Sequence, residues 1–589
     1  MKNYILLTLV VLAAIAPFSS RAVYMDEHIF LKIGHAAQTN VFFPQDTTGM
    51  FFGIPVKNFA AHTHPPVGEY YLALLYSIFG HFREAPFRLA FSIFPIVAVL
   101  SFYSLARRFT QHPMLVCLLF AASPAFFVYS PAMMMEMPML AFLLAGFALY
   151  FGYLQGRRGF LHLASFCFIL AVGTGYTALV PLACFYVGLL AARRPAKELL
   201  SVAAAPIALA VWLGAMTIHF GEFPLARTVQ YFASQGSILR NLLTAFSFVG
   251  SVTIFPWLAT SGRRSILAGV LCVCILTLAI SWPSFAYRLW FIVLASSGVV
   301  MLFAFLGQAR ELIASGNNRG EAFLILWAPA TLLFFIFIGD MINARYILLA
   351  LPSLSLVVFR NTSRRRLIFT LAPTALLSII LAYADFISVN ANRDWVEQTV
   401  IPLQQQGFRV WSGAESGLRF YLEQNGVMSL TAQDITPRPG DLIVRHASFF
   451  RYSLAEPVET VLTVLKTFTP NDRFPIRTYN AAAGAGFHDS RAGLVPFIFS
   501  REPFDRIEIA EVSPLPEAVW SPNGPVFKQT KTEQEFPINI PANTKIEYEI
   551  DGDGVVAASG NKIRLIKGSA APAVIWRNFR IVPKQFAAQ

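Results

Sequence analysis

Up to about residue 389 the chain is a succession of long apolar runs, and beyond it the runs stop. Nothing else in the sequence restricts the fold as much. A run of about 20 apolar residues matches the hydrocarbon thickness of a bilayer, and only a helix satisfies its own backbone there. Thirteen such stretches are predicted, at 4–21, 87–106, 113–131, 134–154, 159–174, 176–192, 198–218, 241–260, 265–283, 287–307, 321–339, 345–359 and 366–387. With 56% hydrophobic and only 13% charged residues, the composition is that of a multi-spanning membrane protein. Arg21 follows the first run without a convincing small-residue cleavage site, so that run reads as an uncleaved anchor.

The charges sort by side. The net charge is +13, yet residues 390–589 hold 21 basic and 21 acidic groups, so the whole excess belongs to the apolar part. Alternate loops of that part collect 16 basic groups, including Arg107-Arg108, Arg157-Arg158, Arg193-Arg194 and Arg364-Arg365-Arg366, against three acidic ones. The positive-inside rule makes that side cytoplasmic. An odd number of spans then puts the C-terminal region outside. Charge segregated in this way excludes a general nucleic-acid binder.

The sequence therefore predicts two domains: a helical membrane domain over 1–389, with a long outer loop at 22–86, and an extracytoplasmic domain over 390–589. Within the outer loop, Pro65-Pro66 and Glu69 suit a helix start. The tyrosine-rich stretch after them is too short to span and suits a helix lying in the interface. In the C-terminal region, short β-like runs (408–411, 441–444, 506–509, 545–550) and an amphipathic stretch at 415–424 predict a mixed α/β start and a β-rich end. All five cysteines lie in apolar runs, which excludes a disulfide framework and a Cys-type zinc site.

The candidate chemistry gathers on the outer side. Asp26 and Glu27 follow the first span, where an acid beside the membrane needs water, a metal or a substrate for company. Glu136 sits among methionines near the outer end of the fourth span. Carboxylates so placed suit general-base work on a hydroxyl or amine. Arg345-Tyr346 opens the twelfth span on the outer side, where a guanidinium suits a lipid phosphate, and Arg227 and Arg240 are lesser candidates for that role. His62 and His64, with His219 from another loop, compose one arrangement that would hold a divalent metal, although the spacing is no standard zinc signature. No cofactor is otherwise indicated. Walker, GxGxxG, HExxH and GxSxG signatures are absent, so a cytoplasmic ATP- or nucleotide-sugar-driven reaction is not expected.

Together these residues resemble the polyprenyl-phosphate-sugar-dependent membrane glycosyltransferases of the GT-C class. The similar branch holds bacterial protein O-mannosyltransferase homologues and the lipid A aminoarabinose transferase. The resemblance is carried by Asp26-Glu27, His64-Pro65-Pro66, Glu136-Met137-Pro138 and Arg345-Tyr346 near Leu351-Pro352, and covers about the first 390 residues. It implies a GT-C fold of about 13 transmembrane helices, a bacterial cytoplasmic-membrane location with the site facing the periplasm, and Asp26 as the catalytic carboxylate. It further implies a polyprenyl-phosphate-linked sugar as donor, an envelope lipid, glycan or protein as acceptor, and Arg345 or a metal at the leaving phosphate. Thr63 and His64 stand where the aminoarabinose transferase pattern has Glu-Lys, which argues against that acceptor. The competing expectation is a flippase of lipid-linked glycans, which predicts functional charges at mid-membrane and an internal repeat.

Overall fold

The computed structural model describes residues 1–587 except 62–63, 227–236, 252, 254–262, 279, 315–320, 449, 471–472, 516–518, 522–523, 539, 542, 560–561 and 570–571. Among the described residues, five helices are long and apolar enough to cross a membrane: Glu84–Phe109, Glu136–Leu154, Ala196–Phe220, Phe285–Ala314 and Arg364–Gln405. Shorter apolar helices, among them Lys2–Phe18, Phe160–Val172 and Ala344–Val358, fall in other predicted spans. Length alone therefore supports five of the thirteen expected crossings. The run at 113–131 is broken into Pro113–Ala121 and Pro124–Tyr129. Ser123 is extended because the residue before a proline is pushed out of the helical region.

Where two helices must cross closely, the sequence supplies small residues. Gly250 and Gly298 face each other between the helices Ile238–Ser251 and Phe285–Ala314. A Cβ on Gly250 would lie 2.0 Å from the Leu294 carbonyl oxygen, and one on Gly298 would lie 1.9 Å from that of Phe246. Without a hydrophobic drive between helices in lipid, this backbone contact supplies much of the packing.

Several of these helices carry polar residues at opposite ends. Glu136 opens a helix of 19 residues, about 28 Å long, and Arg157-Arg158 lie just beyond its far end. Arg345 lies in the first turn of Ala344–Val358, and Arg360, paired with Glu321 at 2.6 Å, follows its C-terminus. Glu198 lies beside Arg193-Arg194 and accepts from Arg194 Nε (2.7 Å) and the Tyr150 hydroxyl (2.6 Å).

The outer loop holds the helix Glu27–Ala36, a small hairpin (Thr48–Phe51 with Ile54–Lys57) and the predicted interfacial helix, which runs Val67–Phe79 directly after Pro66. The last long helix, Arg364–Trp395, has 32 residues, about 48 Å, and so outruns a bilayer core of about 30 Å. The expected domain boundary at 389/390 falls inside it.

The C-terminal region is β-rich, in two parts. The first has a five-stranded sheet ordered Met428–Ser429, Val410–Gly413, Leu442–His446, Ile507–Val512, Leu462–Phe468. Its first two pairings are parallel and the rest antiparallel. The helix Ser416–Gln424 lies where the amphipathic stretch predicted it. The second part pairs a four-stranded and a three-stranded antiparallel sheet over a separate core that includes Phe527, Phe536, Leu565 and Trp576. Strands at 544–551 and 507–512 agree with the predicted runs, whereas Gly554–Ser559 had no distinct signal.

Candidate functional site

Three helix N-termini converge on one guanidinium. Asp26 is the residue before the helix Glu27–Ala36, Glu136 is the first residue of Glu136–Leu154, and Arg345 is the second of Ala344–Val358. Arg345 Nη2 lies 2.8 Å from Asp26 Oδ2, and its Nε lies 3.2 Å from Glu136 Oε1. The second contact is an ion pair by distance without hydrogen-bond alignment, for the Nε proton has no acceptor and Glu136 Oε2 is buried without a partner. An arginine in a first helical turn opposes the dipole, so its place there depends on neighbouring carboxylates. Three converging N-termini also favour an anionic ligand.

Local sequence explains each placement. Met25 adopts φ +48°, a left-handed conformation costly for a bulky side chain, and so turns the chain just before Asp26. The Met25 carbonyl is 2.6 Å from His28 Nδ1. Asn343 caps the arginine's helix, its side chain accepting from the Tyr346 amide at 3.0 Å. The Tyr346 ring stacks on Phe335 at 4.4 Å. Asp26 keeps about a quarter of its side chain exposed, and Arg345 about a tenth.

Beside Glu136 a pocket is lined by His64, Met135, Met139, Tyr176, Phe335 and Tyr346. His64 stacks near Tyr176 at 5.6 Å, and its backbone carbonyl accepts from Gln45. Burial holds this imidazole below its ordinary pKa, against the opposing pull of Glu136 and Asp26.

Glu27 lies apart from this chemistry although it is Asp26's neighbour. It is fully buried and takes hydrogen bonds from Arg88 Nη1 (2.8 Å) and Nη2 (2.9 Å) and from Arg21 Nη1 (3.3 Å). The backbone amides of Tyr24 (2.9 Å) and Met133 (2.8 Å) complete the set. Burial alone would raise its pKa, but Arg88 and Arg21 overcome that and hold the carboxylate below the usual range. Its oxygens are saturated by the protein, so the expectation of a reacting carboxylate at Glu27 is not matched by its geometry.

His219 stacks on Phe43 at 3.6 Å, His62 lies outside the described residues, and no cluster of three potential ligands occurs among the described residues. Arg227 also lies outside the described residues. Arg240 donates to the Asp340 backbone carbonyl at 2.7 Å rather than joining Arg345.

Sequence reasoning passed over a polar relay behind the site. Arg21 Nε meets Asp385 Oδ2 at 2.8 Å, Asp385 Oδ1 meets His488 Nε2 at 2.6 Å, and His488 Nδ1 meets the Tyr129 hydroxyl at 2.8 Å. It joins the segment after the first helix, the helix Pro124–Tyr129, the last long helix and the C-terminal region. Arg88 and Asp385, opposite charges inside predicted apolar spans, were the available signal, because such charges need partners.

Fold and site together define a multi-pass helical membrane protein with a β-rich C-terminal region and an Asp–Arg–Glu centre where three helices begin. Residues 63–217 match the model of the family described as dolichyl-phosphate-mannose-protein mannosyltransferase. The match includes His64 and Glu136 but neither Asp26 nor Arg345. It accords with the resemblance to polyprenyl-phosphate-sugar-dependent glycosyltransferases. No curated protein matches the chain. Among solved structures, the chain is similar to ArnT from Cupriavidus metallidurans bound to undecaprenyl phosphate, at 16% identity and TM-score 0.40, over 86% of this chain and 97% of that one. It is also similar to the oligosaccharyltransferase AglB of Archaeoglobus fulgidus in complex with an inhibitory peptide and a dolichol-phosphate (12%, TM-score 0.39, 76% and 69%). A third is the mycobacterial arabinofuranosyltransferase AftD (13%, TM-score 0.35, 88% and 40%). These scores are too low to establish a shared fold.

Proposed function

We propose that the protein transfers a sugar from a polyprenyl-phosphate-linked donor to an acceptor hydroxyl or amine at the periplasmic face of a bacterial cytoplasmic membrane. One observation carries this reading: Arg345, buried between two carboxylates at the meeting of three helix N-termini. A phosphate there would find a cation and three helix dipoles. It would compete with Asp26 for Arg345, and the released Asp26 would face the acceptor. Asp26 then takes the proton from the acceptor as the acceptor's lone pair attacks the anomeric carbon. The bond from that carbon to the phosphate oxygen breaks, and its electron pair leaves with polyprenyl phosphate, stabilised by Arg345.

Glu136, with one oxygen unpartnered, faces the same pocket and would hold the donor's sugar hydroxyls or steer Arg345. Tyr346, His64 and the pocket's methionine and phenylalanine walls suit the head group and the first isoprene units. Glu27 is a positioning residue that fixes the chain on either side of Asp26. The basic groups at the opposite helix ends support the periplasmic orientation of the site. Because Asp26 and Glu136 sit at helix starts rather than mid-helix, they favour transfer over transport.

The test is transfer of label from radiolabelled polyprenyl-phosphate sugars to envelope extracts. Wild type should move label, Asp26→Asn should lose at least about a hundredfold of the rate, and Arg345→Lys should weaken donor binding. Transfer undiminished in Asp26→Asn would remove Asp26 as the base. Lipid-linked sugar changing sides without any transfer would replace this reading with a flippase.

A further inference from the structure

A second cleft opens between the first part of the C-terminal region and the outer loop. It contains none of Asp26, Glu136 or Arg345. It is partly open to solvent. One wall is aromatic: Tyr24 lies 5.9 Å from Phe504 and 6.2 Å from Tyr479, which in turn lies 5.8 Å from Phe450.

Charges around the cleft are answered within the protein. His446 Nδ1 is 2.9 Å from Asp505 Oδ2, Glu415 pairs with Arg419 at 3.1 Å, and Glu502 pairs with Arg506 at 3.3 Å. The polar groups left over are neutral. The Tyr24 hydroxyl, Asn392 Oδ1 and the Ser416 hydroxyl are buried atoms with no hydrogen-bond partner, on three residues that line this cleft and are each more than nine-tenths buried. Buried polar atoms are rarely left so in native proteins, so water or a ligand is expected to answer the three around this cleft. Ser416 is moreover held at φ +55°, a conformation sparsely populated outside glycine, asparagine and aspartate.

We propose that this cleft is a binding site, separate from the Asp26–Arg345 centre, for a neutral sugar ring. The balanced charges disfavour an ionic ligand. A ring that presents hydroxyls on its rim and C–H groups on its face matches unpaired hydroxyl and amide groups beside aromatic surfaces. An anionic head group would find no unpaired cation among the described lining residues, and a purely apolar chain would leave the three polar atoms unanswered. The ligand is a free saccharide or the end of a glycan, and the site stands whether or not the sugar-transfer reading does.

The experiment is saturation-transfer NMR on the full chain in detergent. The probes are the methyl glycosides of mannose, galactose and glucose, N-acetylglucosamine, and a chitotriose as the glycan-end representative, with glycerol as control. At least one sugar should bind wild type and Asp26→Asn alike, and glycerol should not. Ser416→Ala and Asn392→Leu should each weaken it about fivefold, the effect of one ordinary hydrogen bond lost. Tighter binding of the trisaccharide than of the monosaccharides identifies a glycan end, and equal binding a free saccharide. The site is overturned if no sugar binds, if glycerol binds equally, if both variants bind as wild type does, or if Asp26→Asn alone abolishes binding. Ser416→Ala removes a single oxygen, so it serves as the readout if Asn392→Leu fails to fold; thermal midpoints identify that case.

Discussion

Replacing Glu27 by glutamine tests whether that carboxylate is the keystone of the outer loop. In the wild type its two oxygens receive both Arg88 terminal nitrogens, one Arg21 nitrogen and two backbone amides, all without solvent. Glutamine keeps the shape but removes the charge and turns an NH2 towards donors. Arg88 then loses its carboxylate partner, while Arg21 retains Asp385. Breaking a buried pair from one side costs about 3–5 kcal/mol, because a charge is left buried and uncompensated. Equilibrium unfolding in mixed SDS micelles, followed by the fluorescence of the nine tryptophans, should show a loss of that size. The double variant Glu27→Leu/Arg88→Met should lose less than the sum of its single variants, since neither charge is then stranded. A Glu27→Gln protein within about 0.5 kcal/mol of wild type, the range of an inconsequential surface change, would refute this reasoning.

Other outcomes follow from individual residues. Burial raises the Glu69 carboxyl to about 8, so the folded state binds its proton more tightly than the unfolded chain does. The associated stability is complete below the unfolded value near 4.5 and is lost as pH rises through about 8, by at most about 5 kcal/mol; thermal midpoints of wild type should fall over that window more steeply than those of Glu69→Gln. Gly298→Leu drives a side chain into the Phe246 backbone and should abolish accumulation of folded protein, seen as loss of the monodisperse peak on size exclusion. Trp576 is fully buried in the separate second core and donates to Gln529 at 2.9 Å. Trp576→Ala should cost about 3–5 kcal/mol there, read as protease cleavage within 519–583 while the helical part stays intact.

The longest apolar helices were legible in the sequence because apolar length is a local signal. Pro65-Pro66 announced the helix at Val67, and alternation announced the strands near 410, 442, 507 and 544. Asp26, Glu136 and Arg345 were each visible as polar groups near span ends, but their meeting was not, since it depends on how three helices pack. Glu27 shows the opposite limit. Adjacent to Asp26 in sequence, it points into a different environment because Met25 turns the chain and Arg88 captures it. Asp385 and His488 lie 103 residues apart, and no local pattern joins them.

The Asp–Arg–Glu centre also depends on chain made much later. The loop before Arg345 is held by the C-terminal region: Ala344 donates its amide to the Phe487 carbonyl at 3.0 Å, and Ile342 donates to the Ser490 hydroxyl at 3.0 Å. Some 140 residues separate these partners, roughly 7–30 s of synthesis at ordinary elongation rates. A nascent chain with its helices already made therefore lacks these two anchors of the loop before Arg345 until residues 487–490 have emerged. A chain cut before Phe487 would therefore keep the three helix starts and lose both bonds that hold the loop leading into Arg345.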